Sequence, residues 1–159
     1  MAPAWTTARL VLALLVPLAL AACGGGYNGS VQCAPYARSV TGLHLSGDAA
    51  GWWRQSNGVY AHSQTPRPGD VLVFRATSRM PAGHVSVVRR VVGPRAVLVD
   101  HANWQPGRVE HNVPVVDVSR RNDWSAVRVW WGPSRAIGRR IYPAYGFIEP
   151  LSAQLAGLS

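Results

Sequence analysis

Between residues 30 and 131 the chain alternates short apolar runs with breaks rich in Gly and Pro. Two stretches carry a helical period. Ser30 to Gly42 predicts a short helix closed by Gly42, and Ser46 to Ser56 predicts a second one. In the second, Ser46 or Asp48 is the cap, and Ala49, Ala50 and Trp53 face inward. The later runs, Asp70–Phe74, His84–Val88, Val97–Trp104 and Ala126–Trp131, are β-branched and aromatic and predict strands. Their short turns suit antiparallel pairing. The order helix, helix, meander predicts an α+β fold, with N-terminal helices packed on an antiparallel β-sheet. The stretch from Gly132 to Ser159, with Tyr142-Pro-Ala-Tyr-Gly-Phe147, either completes the sheet or covers the domain as an extension.

Ahead of this pattern lies a different one. Residues 10–22 read LVLALLVPLALAA behind Arg9, too short and too interrupted by Pro17 for a comfortable membrane span. Residues 1–22 are therefore predicted to be a secretory signal. Leu20-Ala21-Ala22-Cys23 resembles a bacterial lipobox, which implies lipidation of Cys23 and an anchor in the membrane without a span. In a Gram-negative cell, with Gly24 and not an aspartate after the cysteine, the lipobox resemblance implies the outer membrane facing the periplasm. Residues 23–29 then form a flexible tether. The alternative is ordinary cleavage after Ala22, with Cys23 free to pair with Cys33, the second of two cysteines.

A length of 159 residues predicts one compact domain, here residues 30–131. With 48% hydrophobic and 14% charged residues the chain has material for a core and is not of the disordered class. The formal charge is +9, carried wholly by arginine. These arginines are scattered, with no block longer than a pair, and fit a compositional bias better than a polyanion site. No nucleic-acid partner is expected.

Pro35 lacks an N–H and is tolerated only in the first turn of a helix, so the helix must begin near Cys33. Free N–H groups there favour a thiolate and offer donors for an oxyanion. Strand alternation puts His101 and Asn103 on the face of Val97 and Val99, with Asp100 on the other. If His84 is a base, its orienting partner is His101 or Asn103 and not Asp100. Asp70, after Pro68-Gly69, reads as a structural cap. His44, His62 and His111 lack ligand-like spacing, so no metal is expected, and Gly24-Gly25-Gly26 opens no phosphate loop. Among the tryptophans, Trp53 and one of Trp130 or Trp131 are assigned to the core. Trp104 is assigned to a cleft wall. Tyr36 either hydrogen-bonds near the site or packs.

In order, Gln32-Cys33-Ala34-Pro35-Tyr36-Ala37-Arg38, Trp52-Trp53, Pro68-Gly69-Asp70-Val71-Leu72-Val73-Phe74, Gly83-His84-Val85-Ser86-Val87-Val88 and His101-Ala102-Asn103-Trp104 resemble a CHAP domain. That family is similar to NlpC/P60 and belongs to the papain-like cysteine peptidases. The resemblance implies a papain-like fold, Cys33 as nucleophile, His84 as base and Gln32 as a contributor to the oxyanion hole. It implies an amide of peptidoglycan as substrate. Trp104 and Tyr36 are the candidate substrate contacts, and no cofactor is expected. CHAP domains usually carry glutamate where this chain has His101, whereas NlpC/P60 relatives carry histidine. A neutral imidazole stabilises the imidazolium of His84 less than a carboxylate does. Two readings follow: a cell-wall amidase or endopeptidase, or a weakly active or inactive wall-binding module of the same fold.

Overall fold

The computed structural model describes residues 31–151. The signal segment, Cys23 and the tether therefore lie outside the described residues, as does the end of the tail.

Helix α1 (Cys33–Thr41) and helix α2 (Ala49–Ser56) precede eight strands. These are β1 (Ala61–Ser63), β2 (Val71–Phe74), β3 (His84–Gly93), β4 (Ala96–Ala102), β5 (Val109–Asp117), β6 (Ala126–Trp131), β7 (Ala136–Ile137) and β8 (Tyr142–Glu149). Gly42 ends α1 in the left-handed conformation, its N–H donating to the Arg38 carbonyl. The strands pair antiparallel in the order β1-β8-β2-β3-β4-β5-β6-β7, and β8 also pairs with β6. That last pairing closes six strands, β8-β2-β3-β4-β5-β6, into a ring. The expected helices and antiparallel sheet are present, with the sheet curled into a small barrel and the two helices outside it. Closure removes the edges that β2 and β6 would otherwise present.

Two cores result. On β2, where every residue is buried, Val71 and Val73 pack with Leu43, Leu45, Ala37, Ala49 and Trp52 of the helix layer. Leu72 and Phe74 turn the other way, into the barrel with Val97, Val99, Val115, Trp124 and Phe147. Among the described residues the fully buried tryptophans are Trp52 and Trp124, whereas Trp53 and Trp130 are partly buried and pack against the cores. Trp53 lies half-buried between His62 and Tyr145, at ring-centroid distances of 3.8 and 5.5 Å. Ala50 is only partly buried, and Trp131 is exposed.

The tail past residue 131 supplies strands β7 and β8. Strand β8 lies between β1 and β2 and touches β6 at its start, with Ala126 opposite Pro143. Gly146 makes this possible. Its φ is +124°, and a Cβ there would come within 2.7 Å of the Ser63 carbonyl. Strand β5 was also absent from the expected set. Pro114, which argues against a strand, lies just outside the stretch Val115–Asp117 where β5 pairs with β6.

Candidate active site

One cleft of about 850 Å³ collects the start of α1 and the mouth of the barrel. Gln32, Cys33, His84, Asn103 and Trp104 all line it. Cys33 opens α1, with Gln32 as the extended residue before it and Pro35 in the first turn. His84 opens β3. Its placement depends on Gly83, which has φ +66° and sits so close to α2 that a Cβ would come within 2.8 Å of the Ala50 nitrogen. The Ala50 N–H donates to the Ala82 carbonyl at 2.9 Å, tying this turn to the start of α2. Along β3 the residues alternate. His84 points to the barrel mouth, edge-on to Phe74 and close to Trp104, while Val85 packs in the helix layer.

His84 Nε2 lies 3.2 Å from His101 Nδ1, and both rings are buried. Trp104 stacks on His101 at 5.4 Å and 17°, walling the pair. Asn103 adopts φ +60°, a conformation that Asn tolerates. Its side chain does not meet His84. Its Nδ2–H donates to Gln32 Oε1 at 3.0 Å, and its Oδ1 accepts the Gly107 N–H at 2.9 Å. Of the two candidates, His101 therefore contacts His84 and Asn103 holds the Gln32 side chain. The Gln32 amide oxygen is used in that bond, which leaves its NH2 group to face the cleft as a donor.

Asp100 faces away, as alternation requires. Its carboxylate meets His111 Nδ1 at 2.9 Å, Arg89 at 3.4 Å, the Asn112 N–H at 2.8 Å and the Tyr36 hydroxyl at 3.5 Å. Tyr36 is thus corrected as a cleft contact: its hydroxyl reaches Asp100, and it is not among the cleft-lining residues. Asp70 caps its own turn, its Oδ2 accepting the Arg67 N–H at 2.7 Å. The cleft wall also holds residues that sequence reasoning did not pick: Arg79, Trp131, Arg140, Ile141 and Tyr142. Among the described residues neither arginine has an ion-pair partner.

The electrostatics differ from the expectation of a ready thiolate. Burial pushes the Cys33 thiol up, and the backbone amides of Val85, Ala34 and Cys33 offset this only partly. Burial also pushes His84 well below the ordinary histidine range, and the neighbouring His101 adds to the shift. His101 itself is pushed down to about 4, mainly by burial, with Asp100 opposing. Near neutral pH these shifts favour the protonated thiol and the uncharged imidazoles.

A barrel carrying a buried histidine pair at its mouth, with a helix start presenting a thiol to the same cleft, defines a class of thiol-bearing α+β domains. The CHAP domain family model matches residues 23–103, and the chain belongs to this family. Cys33, His84, His101 and Asn103 all fall inside the match. No curated protein matches. Among solved structures, the crystal structure of Ly7917 is similar over 76% of this chain and 55% of that one, at 18% identity and a TM-score of 0.48. The crystal structure of Ly7917 with the hydrolyzing product of MDP covers the same shares, at 19% identity and a TM-score of 0.39. The chain spans about half the length of that protein.

Proposed function

We propose that this protein is a peptidoglycan hydrolase cleaving an amide bond of the cell wall, as an N-acetylmuramoyl-L-alanine amidase or a peptide endopeptidase. The observation that carries the reading is the convergence in one cleft of Cys33, at a helix start, and His84, held by His101. Membership of the CHAP family supports it. Because thiol and imidazole are both neutral at rest, His84 acts as general base. It takes the Cys33 proton as sulfur attacks the carbonyl carbon, and the oxyanion forms near the first N–H groups of α1 and the Gln32 amide. The C–N bond then breaks as His84 returns the proton to the leaving nitrogen, leaving a thioester. Water, deprotonated by His84, attacks the thioester, and Cys33 recovers its proton as the carboxylic acid departs. The chain's own residues supply each of these steps, and the reading calls for no cofactor. Trp104, Trp131 and Tyr142 offer faces for sugar or peptide, and Arg79 and Arg140 suit carboxylates on the substrate.

Cys33→Ser tests this on purified peptidoglycan, with released fragments identified by mass spectrometry. Activity should fall on the order of a thousandfold or more, with the fold retained. Retained cleavage would overturn the thiol mechanism, and the fragments would say which bond is cut. The second reading, a weakly active or inactive wall-binding module, is favoured by the raised Cys33 thiol. It predicts that iodoacetamide leaves Cys33 unlabelled near neutral pH.

The lipobox reading adds an anchor at Cys23 that holds the domain on the outer membrane facing the periplasm. Cys23→Ala should abolish incorporation of a labelled fatty acid and release or arrest the protein. Equal labelling of the two forms would remove the anchor from this account.

A further inference from the structure

Strand β4 pairs with β5 in a regular register, Val97 with Val115 and Val99 with Val113, until the register shifts. Continued regularly, it would set His111 opposite His101. Instead Glu110 stands opposite His101. The cause is a bulge at His111–Asn112: Asn112 takes φ +53°, and its N–H donates to Asp100 Oδ1. His111 is thereby turned outward onto Asp100, and Glu110 is brought to the face that carries His101 and His84. Glu110 Oε2 lies 3.7 Å from His101 Nε2. That nitrogen is buried and has no hydrogen-bond partner among the described residues. The carboxylate is fixed by Gln105, whose N–H donates to Oε2 at 3.1 Å and whose Nε2–H donates to Oε1 at 2.9 Å.

We propose that Glu110 is a positioning residue for hydrolysis, acting on His84 through His101, so that the base is backed by a carboxylate one ring removed. The inference rests on the thiol reading above. Tautomers make the case. Neutral His84 must keep Nδ1 free to accept the Cys33 proton, so its own hydrogen sits on Nε2 and points to His101 Nδ1. His101, accepting there, carries its single hydrogen on Nε2, which aims at Glu110. A carboxylate at that end fixes the tautomer of His101 and favours the imidazolium of His84 as it forms. It supplies the negative charge that a glutamate at position 101 would otherwise bring. Among the described residues, Asp100 on β4 and Glu110 on β5 act on His101, and Cys33, Arg79, Arg140 and Tyr142 share the cleft with His84.

The test compares wild type, Glu110→Gln and Gln105→Ala in the full chain. Iodoacetamide labelling of the Cys33 peptide is followed by mass spectrometry from about pH 3 to about pH 8, together with kcat and KM on one wall substrate. In Glu110→Gln the labelling plateau and kcat should fall roughly tenfold with KM little changed, and the acid limb should move to lower pH because His84 loses a favourable charge. Gln105→Ala, which keeps the carboxylate and the backbone N–H of residue 105 that holds Oε2 but removes the Nε2–H donor, should stay within about twofold of wild type. An unchanged plateau in Glu110→Gln overturns the inference. So does a fall accompanied by an acid limb moved to higher pH, which marks a loosened and newly hydrated His84. If wild-type Cys33 is not labelled at any pH, the thiol reading fails and the inference fails with it.

Discussion

The helix layer and the barrel interior are built from adjacent residues of the same strands, yet they contribute opposite halves of the site. The helix layer, closed by Trp52 and Leu45, fixes where α1 begins and so where the Cys33 sulfur stands. The barrel interior, filled by Trp124, Phe74 and Phe147, carries the His84 and His101 pair at its mouth. The two halves meet at His84 and Val85, neighbours that face different cores. The pleat of β3 thus sets the His84 side of the cleft against the helix layer that carries Cys33, and each half can be disturbed separately.

Removing the central tryptophan of each core is the coarsest way to test that division. Trp52→Ala and Trp124→Ala should each destabilise by roughly 3–5 kcal/mol in thermal or denaturant unfolding. Below the transition, Trp52→Ala should also slow Cys33 labelling, because α1 and α2 lose their shared support. Trp124→Ala should leave labelling closer to wild type. Equal loss of labelling in the two variants would mean that the cores are one energetic unit.

The barrel half can be probed at the strand carrying His101. His101→Ala should lower kcat/KM by about 10- to 100-fold, or roughly 1.4–2.7 kcal/mol of transition-state stabilisation. Asp100→Ala should cost only a few-fold, through the β5 bulge it anchors. The reverse order would break the assignment of faces. A glutamate at position 101, which would match the usual CHAP residue, now carries an added cost. It would stand directly across from Glu110, and two opposed carboxylates repel. His101→Glu should therefore be less active than wild type, measured on the same substrate.

The smallest expected effect concerns Asp70, at the start of β2, where both cores begin. Burial, with Glu149 nearby, pushes its carboxyl up to about 7, above its value in the unfolded chain, and its Oδ1 has no hydrogen-bond partner among the described residues. The folded state thus holds this proton more tightly. Its contribution to stability is full below about pH 4 and is lost as pH rises through 7. Asp70→Asn keeps an oxygen for the Arg67 N–H without the charge. It should be more stable than wild type by about 1 kcal/mol at pH 8, with the gap closing toward pH 4, in urea unfolding at the two values.

How much of this was legible in the sequence follows from which forces are local. Pro35 and Gly42 bracket α1 through backbone constraints that any reader of the chain can apply, and alternation along Val97–Asn103 separated His101 from Asp100. Side-chain identity could not say which face of α2 meets the sheet, because Trp52 and Trp53 are equally apolar. Strands β5 and β8 were hidden by Pro114, Pro143 and Gly146, which break isolated strands but are tolerated where a partner is missing or a backbone comes close. Glu110 was out of reach for the same reason: its position opposite His101 depends on a bulge set by Asn112 and Asp100, a long-range contact. The electrostatics of Cys33 were misjudged because a helix start lowers a thiol only while water remains near it, and burial prevails here.

The seating of β8 between β1 and β2 has a further consequence, for the order of events during folding. The thiol is among the first residues of the domain to be made, but the strand that closes the barrel and brings Tyr142 to the cleft comes more than a hundred residues later. Pairings of such sequence separation form slowly, because the chain entropy of a large loop is lost before any contact is gained. Until β8 docks, β2 and β6 are open edges available to other chains. A nascent copy is thus most prone to association while its cleft is incomplete, and the same closure that protects the strands assembles the wall around Cys33.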